Sequence, residues 1–89
     1  MPHIEKEIII KNAQGLHARP AAMLVQIVSK YNSQVTIQKG EEKVNGKSIM
    51  GILTLGAQQN CKITLHVDGD DAQVLVDELE QLLTKEQIQ

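Results

Sequence analysis

The sequence predicts an α+β domain in which a four-stranded sheet carries three helices on one face and leaves the other face polar. Three observations lead there. Four short segments alternate apolar and polar residues with the period of a strand, and three others space their apolar residues like helices. In chain order these segments read βαββαβα. The strands are apolar on one side only, so helices are needed on that side alone. The 89 residues hold one core, and no repeat, linker or low-complexity stretch divides them, so 1–89 reads as a single domain.

The first strand is Ile4 to Lys11, with Ile4, Ile8 and Ile10 against Glu5, Glu7 and Lys11. Asn12 to Gly15 supplies turn residues that tolerate conformations closed to branched side chains. A helix follows His17 and places Ala21, Leu24, Val25 and Val28 on one stripe, with Met23 and Ile27 beside it. It ends within Lys30 to Ser33, where Asn32 suits a left-handed terminator. Gln34 to Gln38 alternates and is rich in branched residues, so it is the second strand. After the turn at Lys39-Gly40-Glu41, the short run Glu42 to Asn45 fits an edge, where Lys and Glu discourage pairing with other chains. Ser48 caps a short helix carrying Ile49, Met50, Ile52 and Leu53, which Gly56 closes. Cys61, Ile63, Leu65 and Val67 face inward from the fourth strand. Asp68 to Asp71 forms a turn and cap for the last helix, Ala72 to Lys85, which buries Ala72, Leu75, Leu79, Leu82 and Leu83.

Composition excludes several function classes. The net charge is −2 and Tyr31 is the sole aromatic residue, so neither a basic face nor a base-stacking platform exists for nucleic acid. No apolar run approaches the ~20 residues of a membrane span, and no charged-then-apolar leader opens the chain. The single cysteine, Cys61, has no internal partner and suits a reducing compartment; the expected location is the cytoplasm, with no membrane partner. Cys61 reads as buried and inert, and His3 and His66 as unremarkable. Along the chain no metal spacing stands out, since Cys61 and His66 fall on opposite faces of one strand. The Asp68-Gly69-Asp70-Asp71 run lacks the distal glutamate of a calcium loop.

The chemistry concentrates in Gly15-Leu16-His17-Ala18-Arg19-Pro20-Ala21-Ala22. Pro20 belongs in a first helical turn, where its missing N–H costs little. The N–H groups of Ala18 and Arg19 then point out of the helix end beside His17, and with the helix dipole they make an anion site. The planar fork of Arg19 suits phosphate oxygens. His17 alone would be an ordinary polar residue at a helix entrance; Arg19 and Pro20 make it a nucleophile beside a place for a phosphoryl group. A ring nitrogen of a histidine can act as such a nucleophile.

The segment Asn12-x-x-Gly15-Leu16-His17-Ala18-Arg19-Pro20-Ala21 resembles the active-site segment of the HPr family, the histidine phosphocarriers of the bacterial sugar phosphotransferase system. Gly46-Lys47-Ser48-Ile49-Met50-Gly51 resembles that family's regulatory serine region. The likeness extends over the whole chain and implies an open-faced β-sandwich with a four-stranded antiparallel sheet. It implies that His17 carries the phosphoryl group on Nδ1 and that Arg19 stabilises it, with no cofactor and no metal. It also implies enzyme I as donor and sugar-specific A domains as acceptors. A kinase/phosphorylase acting on Ser48 and a transcriptional regulator are further partners of the family.

Nothing near His17 in sequence would activate water, so the reading is a carrier rather than an enzyme, and a monomer presents its one histidine well to several partners. Candidate docking residues are Leu16, Ala18 and Ala21 near the motif, and Lys47, Ile49, Met50 and Gly51 around Ser48. Leu53 is assigned to the core and Met50 to the surface. Ser48 has two compatible roles, helix cap and phosphorylation site. Two rivals stay open: a regulator of the same fold acting through Ser48 and docking, and a sensor binding a metabolite anion at the His17 helix end. The intact histidine opposes the first, because regulator-only relatives replace it. The chain departs from the family pattern in having no phenylalanine, with Leu24 where relatives often carry one, and in having Ala22 where some carry a hydroxyl residue.

Overall fold

The computed structural model describes residues 2–86. Its elements are β1 (His3–Ile9), α1 (Ala18–Ser29), β2 (Gln34–Lys39), β3 (Glu42–Asn45), α2 (Ile49–Leu55), β4 (Lys62–Asp68) and α3 (Ala72–Leu83). The four strands form one sheet in the order β1-β4-β2-β3, antiparallel at every pairing. β3 is an edge, as its charges predict, and β1 is the other. Alternation sets which side is buried. Ile8, Val35, Ile37, Ile63, Leu65 and Val67 turn inward to meet Leu24, Val28, Ile52, Leu75, Leu79 and Leu83 of the helices. Glu5, His66, Thr36 and Asn45 form a row across the opposite, helix-free face. No helix of the described residues is long and apolar enough to cross a membrane.

Several boundaries differ from the sequence reading. The β1 ladder stops at Ile9–Lys62, although Ile10 still exchanges backbone bonds with Asn60 and Cys61. Cys61 therefore precedes β4 and is half-buried against the core rather than enclosed by it. α1 ends at Lys30 in a right-handed conformation, the Lys30 N–H reaching the Ile27 carbonyl and the Tyr31 N–H that of Val28. Asn32 is not a left-handed terminator; among the described residues Asn60, at φ 70°, is the non-glycine with positive φ. Gly56 closes α2 at φ 61°, as expected. α3 ends at Leu83, two residues before the expected Lys85.

Asp71 precedes α3, but its carboxylate makes no cap bond to that helix. It accepts instead from the backbone N–H groups of Asn32 (2.9 Å) and Ser33 (3.1 Å) and from the Ser33 hydroxyl. Three donors from the α1–β2 turn outcompete the helix N–H groups. Nearby, Glu78 of α3 accepts from Lys30 Nζ (2.7 Å) and from the Tyr31 hydroxyl (2.5 Å). The two carboxylates thus fasten the end of α1 to α3.

Both are held below the usual carboxylate range, Glu78 by its bonds from Lys30 and Tyr31, Asp71 by those from Ser33 and Asn32. A carboxylate with a depressed folded-state pKa stabilises the fold above its unfolded value and loses that contribution as pH falls through the folded value. The unfolded values are about 4.3 for Glu and 3.9 for Asp, so the loss belongs below about pH 4.3. Glu78→Gln should lower Tm at pH 7 and flatten its fall between pH 4.5 and pH 2.5 (both about the carboxylate range). Melts of the two proteins across that range check it; parallel curves would exclude Glu78 as a source of acid lability.

Candidate functional site

The loop from β1 to α1 is held at both ends of its span. Asn12 is buried, and its side-chain amide donates to the carbonyls of Leu82 (3.1 Å) and Lys85 at the end of α3. Lys11 and Ala13 add backbone bonds to Leu83 and Glu86, both 2.9 Å. The bonds to Leu82 and Leu83 satisfy carbonyls that a helix leaves unpaired at its C-terminus, and those to Lys85 and Glu86 fasten the segment that follows it. Gly15 then turns at φ 63°, which releases the chain toward α1. The Leu16 N–H bonds the Ala57 carbonyl at 2.8 Å, and the Leu16 side chain enters the core.

With its direction fixed by these contacts, the chain presents His17 as the N-cap of α1. His17 has extended backbone angles, φ −84° and ψ −169°, and its carbonyl accepts the first helical bond from Ala21 at 2.9 Å. The N–H groups of Ala18 and Arg19 therefore have no intrahelical partner, and Pro20 has none to offer. The His17 imidazole makes no capping bond and is exposed, so its ring nitrogens are not engaged in holding the helix. His17, Ala18, Arg19, Pro20 and Gln14 line a shallow open hollow at this end. Gln14 was not a sequence candidate; only the turn geometry from Asn12 to Gly15 brings it beside the histidine.

Around Ser48 the structure separates cap from surface. The Ser48 hydroxyl accepts from the Gly51 N–H at 3.0 Å and caps α2. Met50 is 70% exposed, with Ile49 and Lys47 also exposed and Gly51 half-buried. Leu53 packs partly buried against the core. Two of the docking candidates do not stay on the surface. Leu16 is 2% exposed and Ala21 0%, both in the core. Ala21 lies on the inward stripe of α1 with Leu24 and Val28, and Leu16 is drawn in by its bond to Ala57. Neither can meet a partner without unfolding the site; Ala18 is exposed and can.

Reading β4 alone separates Cys61 from His66, but pairing with β1 creates a different cluster. The register sets His3 against Asp68 and Glu5 against His66, and His3, Glu5 and His66 each bring a potential ligand atom within 4.8 Å of the others. His66 lies some sixty residues from His3 and Glu5 in the chain, and the β1–β4 register makes them neighbours.

Comparison with known proteins matches this chain to one family. The family described as "PTS HPr component phosphorylation site" matches residues 4–85. The phosphocarrier protein HPr of Xylella fastidiosa is 42% identical over 79 residues, covering 89% of each chain. The HPr crystal structure from Bacillus anthracis superposes with a TM-score of 0.88 at 33% identity, covering 91% of this chain and 96% of that one. HPr from Thermoanaerobacter tengcongensis gives 0.86 at 48% identity, over 90% of each. With the helix-end histidine, its arginine and the open-faced sheet all in place, the chain belongs to the HPr family of phosphocarrier proteins of the phosphotransferase system.

Proposed function

We propose that His17 is the phosphoryl acceptor of this phosphocarrier, charged by phosphoenolpyruvate-loaded enzyme I and discharged to sugar-specific A domains. The observation that carries this reading is an exposed N-cap histidine whose ring makes no capping bond, set beside the free N–H groups of Ala18 and Arg19. In the transfer, a lone pair of the ring attacks phosphorus as the bond to the donor breaks; by family likeness the nitrogen is Nδ1. The helix-end N–H groups and the Arg19 guanidinium stabilise the phosphoryl oxygens, and the helix dipole adds roughly 0.3–1 kcal/mol for an anion there.

The same surroundings favour a carrier over a hydrolase. Among the described residues lining the hollow there is no carboxylate and no second histidine to activate water. Exposed Lys47, Ile49 and Met50, with Gly51, form the docking surface, and the protein acts as a cytoplasmic monomer. Phosphorylation of Ser48 by a kinase would place about two negative charges on that surface and oppose docking to an acidic donor.

Incubation with enzyme I and phosphoenolpyruvate tests the proposal. Intact mass should rise by one phosphoryl group that mild acid removes. No gain with an enzyme I active on another HPr would shift the assignment to a regulator acting through Ser48. Ser48→Ala should keep His17 phosphorylation while losing the α2 cap, worth about 1 kcal/mol. In a domain of this size that lowers Tm by roughly 4–8 °C; an unchanged melt would show that the cap bond contributes nothing net.

A further inference from the structure

We propose that the helix-free face of the sheet holds a site for a divalent transition metal of the zinc type, with His3, Glu5 and His66 as its ligands. Two imidazoles and one carboxylate form a donor set that zinc takes with a fourth position open to water. The three ligand atoms lie within 4.8 Å of one another. Around a tetrahedral zinc with bonds of ~2.0–2.1 Å, ligand atoms stand about 3.3 Å apart, so closure needs shifts of about 1.5 Å. His3 and Glu5 are exposed and can turn through that distance, whereas His66 is the fixed member, its side chain 19% exposed.

Hydrogen bonds around the cluster already set the imidazoles for a cation. Gln38 donates its amide N–H to the Gly40 carbonyl at 2.8 Å, which fixes its Oε1 toward His66 Nε2 at 2.7 Å. His66 therefore carries a proton on Nε2, and its Nδ1 is the nitrogen turned toward the Glu5 carboxylate, 3.4 Å away. That nitrogen and the carboxylate share one positive charge between them, which a proton or a metal ion can supply. Glu7, the next outward residue of β1, pairs with Lys62 at 3.7 Å, while the ion-pair partner of Glu5 is His66 itself. His3 contacts Asp68 through Nδ1 at 2.5 Å, the carboxylate–histidine arrangement that orients metal-bound imidazoles and leaves the second ring nitrogen as donor. The His3 and His66 ring centres are 6.2 Å apart, so both rings reach one ion. Ligands from β1 and β4 would let a single ion tie the N-terminal edge strand to the middle of the sheet.

The test is a titration of tag-free protein with Zn²⁺ alone, by calorimetry and by NMR of the histidine ring signals. Binding of one ion per chain, with the His3 and His66 signals perturbed and His17 unmoved, is the expected result. His3→Gln and His66→Gln should each weaken binding at least tenfold, while His17→Ala binds zinc as the parent does. The NMR arm uses the unaltered protein and stands even if a substitution disturbs the strand. No saturable binding would mean that a proton is the only cation between these groups, and would overturn the site. Perturbation centred on His17, or loss of binding in His17→Ala, would overturn it equally by moving the metal to the phosphorylation site.

Discussion

His17→Ala will abolish phosphoryl acceptance and leave the fold intact. The imidazole is exposed, and no capping bond depends on it, so its removal takes nothing from the core. Surface substitutions of this kind change stability by no more than about 0.5 kcal/mol. The chemistry has no such reserve. The N–H groups of Ala18 and Arg19 can hold an anion, but neither they nor the Arg19 guanidinium can form the covalent bond. With enzyme I and phosphoenolpyruvate, the intact mass of the variant should stay at its starting value while that of the parent rises. Circular dichroism and melting should superpose. Acid-labile phosphate on the variant would mean that a different side chain is the carrier.

Gly15→Ala should damage both stability and transfer. Gly15 sits at φ 63°, where an L side chain adds roughly 1–2 kcal/mol of steric cost. The added Cβ would also lie 2.6 Å from the Ala57 carbonyl oxygen and 2.8 Å from Gln58 Cα, both backbone atoms that cannot rotate aside. Together these should cost about 2–4 kcal/mol, against a total stability of about 5–13 kcal/mol for a chain of this length. Relief of the clash separates the loop from residues 57–58, so the Leu16–Ala57 bond lengthens and His17 loses its fixed position. The expected outcome is a lower midpoint in urea together with slower phosphoryl transfer at temperatures where the protein is still folded. Transfer at the parental rate in a destabilised protein would show that the site does not depend on this contact.

The element order and the inward residues were legible in the sequence because each follows from a period. Ile63, Leu65 and Val67 alternate, and Leu75, Leu79 and Leu82 recur at helical spacing, so their faces needed no tertiary information. The His17 helix end was equally legible, since Pro20 fixes the first turn and Arg19 follows from it. What failed depends on partners distant in sequence. Leu16 and Ala21 stand beside an exposed motif yet are buried, because Ala57 draws the loop inward and the α1 stripe begins at Ala21. Asp71 has the composition of a cap but finds better donors at Asn32 and Ser33. The cluster of His3, Glu5 and His66 exists only through the β1–β4 register, which no local period encodes.

The loop that presents His17 is held by Asn12 against the carbonyls of Leu82 and Lys85, and among the described residues β1 pairs with β4 alone. The proposed phosphate acceptor is therefore translated early, but its setting is completed last. At synthesis rates of about 5–20 residues per second, β1 waits roughly 3–12 s for the residues it pairs with. A ribosome-bound or prematurely terminated chain that lacks α3 has His17 in its sequence but no anchor for the loop around it. Under the proposed function such a product should be a poor substrate for the donor, which would keep unfinished chains out of the phosphate relay without any separate inspection step.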